Sequence, residues 1–412
     1  MVHNKRVSNV LIIIFNLYLY YYAYRYILRY NDSETSPTYS DTPLILQIGK
    51  YILLVLLIAV FLLYTFKKKV KIRGRKVLVF IAFLVLILQE IYCFILDKNS
   101  NQLTFSLCLI PPFLMLLFNE QIDYNAFDKS IEIFVYISIA YEILQVLLFI
   151  GFNRLPALAY DTGVFTDVRY GSVWDDPNGF ALFTIFLIPY SLYKFKGLKR
   201  IIILVLLLGM LGLTFSLTAI AVAVVIAFIA LVSSILKNTK RSIWIYIVTL
   251  TTIILGIIAA LTKIDSFLVF MDSKQGSILG HLESFKLTGF TIYQFLGIIP
   301  KAIDAESGAI KLLYIGGVLH FIVFFILSIC ALVRLRILSK NSNNPGIYKA
   351  MFWYVLGFMI GCINLPYMYI FVTFGIYGMF IGIAYMPLKN NAIKEGEDLN
   401  EWWKWNFYIR PF

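Results

Sequence analysis

Charge is scarce in this sequence. Asp, Glu, Lys and Arg make up 14 % of its 412 residues, against about 25 % in an ordinary soluble domain, while hydrophobic residues reach 60 %. So little charge cannot cover a water-soluble globule of this length, and a soluble domain of ordinary composition is excluded. Histidine is nearly missing, with three residues, and cysteine is rare, with four. Cys93, Cys108, Cys330 and Cys362 all fall in or beside apolar runs and show no metal-ligand spacing. That excludes a disulfide framework and leaves them as packing residues. No P-loop and no Gly-x-Gly-x-x-Gly occurs, so ATP-driven work by this chain alone is not expected, and no cofactor is implied.

What is present is a series of apolar runs, rich in Phe (35) and Tyr (28), as rings facing lipid and headgroups would require. A span needs about 20 apolar residues. The runs and their charged breaks predict spans near 8–28, 44–66, 76–96, 103–118, 131–151, 178–193, 200–214, 217–236, 242–262, 310–333, 349–363 and 367–385. Two breaks are inferred. The run 201–236 would be about 54 Å long as one helix, too long for a hydrocarbon layer of about 30 Å, and is divided at Thr214-Phe215-Ser216-Leu217-Thr218. The run 349–385 is divided at Asn364-Leu365-Pro366, where proline lacks a donor and disfavours helix in the residue before it. The fold class expected is an all-α polytopic membrane protein of about 12 helices, the alternative being ten with two kinked. The first run has no small-residue cleavage site after it and is expected to remain as a span.

In the twelve-span reading roughly two thirds of the 36 Lys and Arg residues fall on one side, including Lys67 to Lys76, Lys194 to Arg200, Lys237 to Arg241 and Arg334 to Lys349. This bias places both termini in the cytoplasm, and it explains the net charge of +13 without nucleic acid. Two long loops then lie outside, 152–177 and 263–309, and 386–412 is a cytoplasmic tail. Its acidic stretch 395–401 leads into Trp402-Trp403-Lys404-Trp405, an interfacial anchor.

The chemistry concentrates outside. Arg154 and Arg169 share the first loop with Asp161, Asp167, Asp175 and Asp176, and the second loop carries His281, Glu283, Lys286, Lys301 and Glu306. Guanidinium groups suit bidentate phosphate binding. In 275–296, His281, Phe285 and Thr288 fall at helical spacing, as in an amphipathic lid helix at the outer interface. Within the spans, Glu90 and Glu142 lie deep, as structural hydrogen-bonding groups or as a proton relay, and Glu132 lies at a cytoplasmic end. His320, beside Gly316-Gly317, marks close helix packing or a pocket.

The pattern Arg169-x-Gly171 followed by Pro177-Asn178-Gly179-Phe180-Ala181 resembles the one that opens a central span in the O-antigen and capsule repeat-unit polymerases (the Wzy family) and the related O-antigen ligases. Thr214-Phe215-Ser216-Leu217-Thr218 resembles that family's hairpin tip, with Leu217 where arginine is common. Gly280-His281-Leu282-Glu283-Ser284-Phe285 resembles the start of its long outer loop, and Glu306-Ser307 with Gly316-Gly317 its close. The resemblance spans roughly residues 150–335 and rests on the order of the motifs.

It implies a membrane glycosyltransferase in the bacterial cytoplasmic (inner) membrane that polymerises polyprenyl-diphosphate-linked oligosaccharide repeat units at the outer leaflet. Nucleotide sugar, cofactor and metal are not required, although Asp175-Asp176 would make a metal conceivable. Partners implied are the lipid-linked oligosaccharide, membrane lipids, a flippase and a chain-length regulator, with no nucleic acid. The catalytic candidates are Arg169, against the leaving diphosphate, and His281, Glu283 or Glu306 as base. The substrate-binding candidates are Arg154, Asp175, Asp176, Asn178, Ser216, Lys286 and Lys301. The competing readings are a ligase of the same fold, and a flippase or proton-coupled transporter with Glu90 and Glu142 as couplers.

Overall fold

The structure is a computed structural model. It describes residues 5–20, 75–98, 124–152, 159–161, 168–174, 176–236, 290–301, 307–342 and 344–386, with isolated positions in 48–59 and 105–116 and at 279 and 303. The spans expected at 44–66, 103–118 and 242–262, most of the lid segment 275–296 and the tail lie outside the described residues.

Among the described residues the helices are α1 (Lys5–Leu19), α2 (Arg75–Asp97), α3 (Tyr124–Phe152), α4 (Pro177–Lys194), α5 (Gly197–Leu213), α6 (Leu217–Leu236), a short α7 (Ile292–Phe295), α8 (Gly308–Asn341), α9 (Pro345–Asn364) and α10 (Phe371–Ala384). Strands β1 (Ala159–Asp161) and β2 (Val168–Tyr170) form one antiparallel pair, in which Tyr160 faces Arg169. Among the described residues, four segments are long and apolar enough to cross a membrane: Lys76–Asp97, Phe127–Gly151, Gly308–Asn341 and Pro345–Asn364.

The side-chain pattern is that of a bilayer protein. On α2, Val79, Phe83, Leu86, Glu90 and Cys93 recur at helical spacing and are buried, whereas Leu78, Ile81, Leu84, Leu88 and Ile95 form an exposed apolar stripe. On α3 the buried face carries Ser130, Ser138, Glu142 and Gln145, while Ile133, Ile137, Leu144, Leu147 and Ile150 are exposed. Polar groups turned inward and apolar groups turned outward suit hydrocarbon surroundings. At the centre lies α10, every residue of which is buried.

Both inferred breaks are helix boundaries. α5 ends at Leu213 and α6 begins at Leu217. Between them Phe215 takes a φ of +47°, a left-handed conformation costing about 1–2 kcal/mol in a non-glycine residue. Thr214 and Ser216 stitch the corner: Thr214 Oγ1 donates to the Leu211 carbonyl, and Ser216 Oγ accepts from Ala219 N–H. α9 ends at Asn364, and after Leu365-Pro366 a 3₁₀ turn (Tyr367–Tyr369) leads into α10.

The end of the stretch read as an outer loop packs inward, since residues 168 and 170–174 are buried. Trp174 donates from Nε1 to the Leu19 carbonyl (2.7 Å) and stacks on Phe183 at 5.0 Å. Ser172, at φ +51°, donates from Oγ to the Ser138 carbonyl (2.8 Å) and accepts from Gln145 Nε2 at 3.3 Å. The cause is composition: Val168, Tyr170, Val173 and Trp174 interleave the polar residues and draw the turn onto the inward faces of α1, α3 and α4.

Candidate functional site

α4 begins where sequence chemistry says it should. Asp176 is its N-cap and Pro177 its first residue, with no N–H to satisfy; the Asp176 carboxylate accepts from the N–H groups of Asn178 (3.0 Å) and Gly179 (3.1 Å). Burial raises the Asp176 carboxyl above its ordinary value, opposed by those N–H groups and by the nearby Arg169 guanidinium.

Arg169 reaches from β2 across this helix start. Its Nε donates to the Thr214 carbonyl at 2.8 Å and its Nη2 to Asn178 Oδ1 at 2.9 Å. One guanidinium thus joins the strand, the first turn of α4 and the α5–α6 corner. Ser216, in that corner, is near the Tyr367 hydroxyl, which has no hydrogen-bond partner among the described residues and is within electrostatic reach of Asp176 and Arg169. One residue into α6, Thr218 accepts from Asn364 Nδ2 at 2.6 Å, closing the junction onto the end of α9. Thr373 of α10 donates to the Tyr367 carbonyl at 2.9 Å, and its methyl lies against Gly179, where a Cβ would come within 3.2 Å. Ser307, the N-cap of α8, donates to the Ile363 carbonyl. The N-termini of α4, α6, α8 and α10 therefore meet at one end of the bundle, each carrying the positive end of a helix dipole.

Four predicted site residues are brought together here: Arg169, Asp176, Asn178 and Ser216. Lys301 is exposed, with its N–H on the Tyr314 carbonyl (3.0 Å), and no contact ties it to this junction. Arg154, Asp175, His281, Glu283, Lys286 and Glu306 lie outside the described residues. Sequence reasoning missed Tyr367, Asn364 and Thr373 as members. For Asn364 the signal was present, a polar residue at a proline break; for Tyr367 and Thr373 there was none. No group of three or more His, Cys, Asp or Glu residues among the described ones is placed to hold a metal ion.

At the opposite end of α4, Lys194 pairs with Asp128 and with Glu132 (3.3 Å), and Tyr190 donates to Asp128 Oδ1 at 2.9 Å. Glu132 is thus bound in an ion-pair network. Of the two deep carboxylates, Glu90 accepts from the Tyr369 hydroxyl, while neither oxygen of Glu142 has a hydrogen-bond partner among the described residues.

The Arg169 junction offers a guanidinium, several hydroxyls, two carboxamides and converging helix N-termini. That set can hold phosphate oxygens and hydrogen-bond sugar hydroxyls. No protein-family model matches this chain, and no curated protein matches it either.

Proposed function

We propose that this chain is a polytopic membrane glycosyltransferase of about twelve spans, with both termini cytoplasmic, which polymerises polyprenyl-diphosphate-linked repeat units at the outer face of the bacterial cytoplasmic membrane. The observation that carries the reading is the junction at Arg169. Two stretches that resemble the repeat-unit polymerases at separate places in the sequence, Arg169 to Ala181 and Thr214 to Thr218, meet in space through the hydrogen bond from the Arg169 guanidinium to the Thr214 carbonyl, and a second bond of the same guanidinium ties it to Asn178. Leu217 stands where that family often carries arginine; here the guanidinium at the corner is that of Arg169.

In this reading the lipid diphosphate approaches at headgroup depth, and Arg169 with the helix N-termini stabilises charge developing on the leaving diphosphate. Asn178 and Thr214 orient the guanidinium, and Ser216 and Tyr367 contact the glycan. The base that takes the acceptor hydroxyl's proton is His281, Glu283 or Glu306, and Arg154, Asp175, Lys286 and Lys301 complete the substrate contacts. The test is purified protein in lipid supplied with polyprenyl-diphosphate repeat units alone, with glycan length read on a gel. Multimers without nucleotide support the reading; single units from well-folded protein given its native substrate overturn it.

A second reading, a flippase or proton-coupled transporter, has one observation in its favour. α8 is interrupted at Gly317, and discontinuous helices are a recurrent feature of transporters. Movement of intact lipid-linked repeat units across vesicles, with no change in their length, would favour it.

A further inference from the structure

A second buried polar group lies on α2, on α8 and on the Tyr367–Tyr369 turn. Glu90 of α2 is fully buried on that helix's inward stripe, and His320 of α8 is 1 % exposed. Glu90 Oε1 stands 3.4 Å from His320 Nε2 and accepts a hydrogen bond from the Tyr369 hydroxyl at 3.2 Å. Phe105 packs over both the imidazole (5.9 Å between ring centres) and the Tyr369 ring (5.5 Å), shielding the group from bulk solvent. Among the described residues, the other titratable groups around it are the thiols of Cys93 and Cys362 and the Lys311 ammonium, which lies 5.5 Å over the Tyr369 ring.

A lone ionised carboxylate or imidazolium in such a place is expensive. A carboxyl and an imidazole sharing one proton are neutral together, whichever atom holds it. Removing that proton leaves a bare anion, and adding another leaves a bare cation. The 3.4 Å approach of His320 Nε2 is an ion-pair distance without a hydrogen bond, and Glu90 Oε2 and His320 Nδ1 likewise have no hydrogen-bond partner among the described residues. Both are buried polar atoms able to take or give a proton.

The backbone supplies an independent observation. Gly317, three residues before His320, has φ +65° and ψ −166° and interrupts α8. Gln89, next to Glu90, donates from Nε2 to the Ile315 carbonyl (3.1 Å), freed by the break, and to the Gly297 carbonyl (3.0 Å) of the segment after α7. The end of α7 presses into the gap so closely that a Cβ on Gly317 would lie 2.4 Å from the Phe295 carbonyl oxygen. The stretch of α2 that carries the carboxylate is therefore tied directly to the broken turn that precedes the imidazole. Irregular backbone beside a buried ionisable group is how membrane proteins build ion sites.

We propose that Glu90, His320 and Tyr369 form a proton-binding site inside the bundle, separate from the Arg169 junction and joined to it by the Tyr367–Tyr369 turn. Tyr369 faces the pair, while Tyr367, two residues earlier, faces Asp176 and Ser216. The site binds one proton per chain, and its occupancy does not depend on whether the chain polymerises glycan.

The experiment is infrared difference spectroscopy on the full-length protein in lipid nanodiscs, titrated from about pH 4 to about pH 10. A carboxyl carbonyl band that titrates in this range is expected in the wild type and missing from Glu90→Gln. In His320→Gln its midpoint should shift by about one pH unit or more, because the imidazole that shares the proton is gone. Tyr369→Phe, which deletes one hydroxyl and keeps the ring, should shift it less and guards against loss of folding in the other variants. A wild-type spectrum from Glu90→Gln overturns the proposal. So does an unmoved midpoint in both His320→Gln and Tyr369→Phe. Displacement of the band by sodium at constant pH overturns it in favour of a metal-cation site.

Discussion

Two of the buried polar regions among the described residues are built differently. At the Arg169 junction, the guanidinium bonds Thr214 and Asn178, Asp176 holds two backbone N–H groups, and Asn364 bonds Thr218, while the Tyr367 hydroxyl has no hydrogen-bond partner among the described residues. At the Glu90–His320 pair a single oxygen takes both contacts, and the remaining carboxylate oxygen and ring nitrogen have no partner among the described residues. Hydrogen bonds in a low-dielectric interior hold a geometry when they are complete and leave chemical capacity when they are not. The junction is therefore suited to positioning a charged group, and the pair to exchanging a proton.

The largest expected effect tests the positioning. Arg169→Ala should slow polymer formation by about a hundredfold or more, equivalent to roughly 3 kcal/mol, if its guanidinium acts on the leaving diphosphate. Arg169→Lys should fail nearly as badly, because an ammonium lacks the planar fork. A full glycan ladder from Arg169→Ala would remove the junction from the reaction. Next, Asn178→Ala keeps the guanidinium but deletes one of its guides. A loss of about 1.5–3 kcal/mol in the rate is expected, smaller than that of Arg169→Ala, as the ladder assay would show.

Smaller effects separate architecture from chemistry. Asn364→Ala and Thr218→Val should each lower unfolding stability by about 1 kcal/mol, and the double variant should cost little more than either, as measured by denaturation in detergent. Strict additivity would mean that their bond does not hold the α9 end to the corner. Glu142→Gln should leave the polymer rate within a few fold, since its carboxylate has no hydrogen-bond partner among the described residues to lose. A collapse of the rate would show that an unbonded carboxylate belongs to the reaction.

The smallest effect is a slope. The Asp176 carboxyl is raised in the folded protein, so it binds its proton more tightly there than in the unfolded chain. The corresponding stability is present at low pH and lost as pH rises through the raised value. Wild-type melting temperature, followed as pH falls from neutral towards the ordinary aspartate range, should therefore gain a little relative to Asp176→Asn. The asparagine keeps the N-cap but not the titration. Parallel curves for the two proteins would contradict that sign.

Much of the framework was legible in the sequence because it is written locally. Asp176-Pro177 announces a helix start, Leu365-Pro366 announces a stop, and Thr214-Phe215-Ser216 interrupts a run too long for one span. These signals work because caps and prolines act within a few residues. The break at Gly317 left only the Gly316-Gly317 pair as a trace, since hydropathy does not change across it. α8 also outruns the predicted span 310–333 and continues to Asn341, because Arg334, Arg336 and Lys340 sustain a helix beyond the apolar stretch. Within the candidate site, Arg169, Asn178 and Ser216 were named through motif order, and Asp176 through the clustered charge of its loop. Tyr367 was not, since its contact with Ser216 joins positions far apart in the chain. Glu90 and His320 were each noticed alone, and no local pattern could say that they face each other.

The buried helix at the centre has a consequence for how the molecule is made. α10 has fourteen residues, about 21 Å of rise, and no residue turned towards lipid. It also follows every other described helix in the chain, so the ribosome delivers the filling after the walls. Until it arrives, Tyr18, Phe358 and Phe105, whose rings stack or pack against Phe371 and Phe374, border an empty centre. Synthesis halted at Pro366 would therefore leave a ring of inserted helices around a vacancy, open to lipid or to the wrong neighbour.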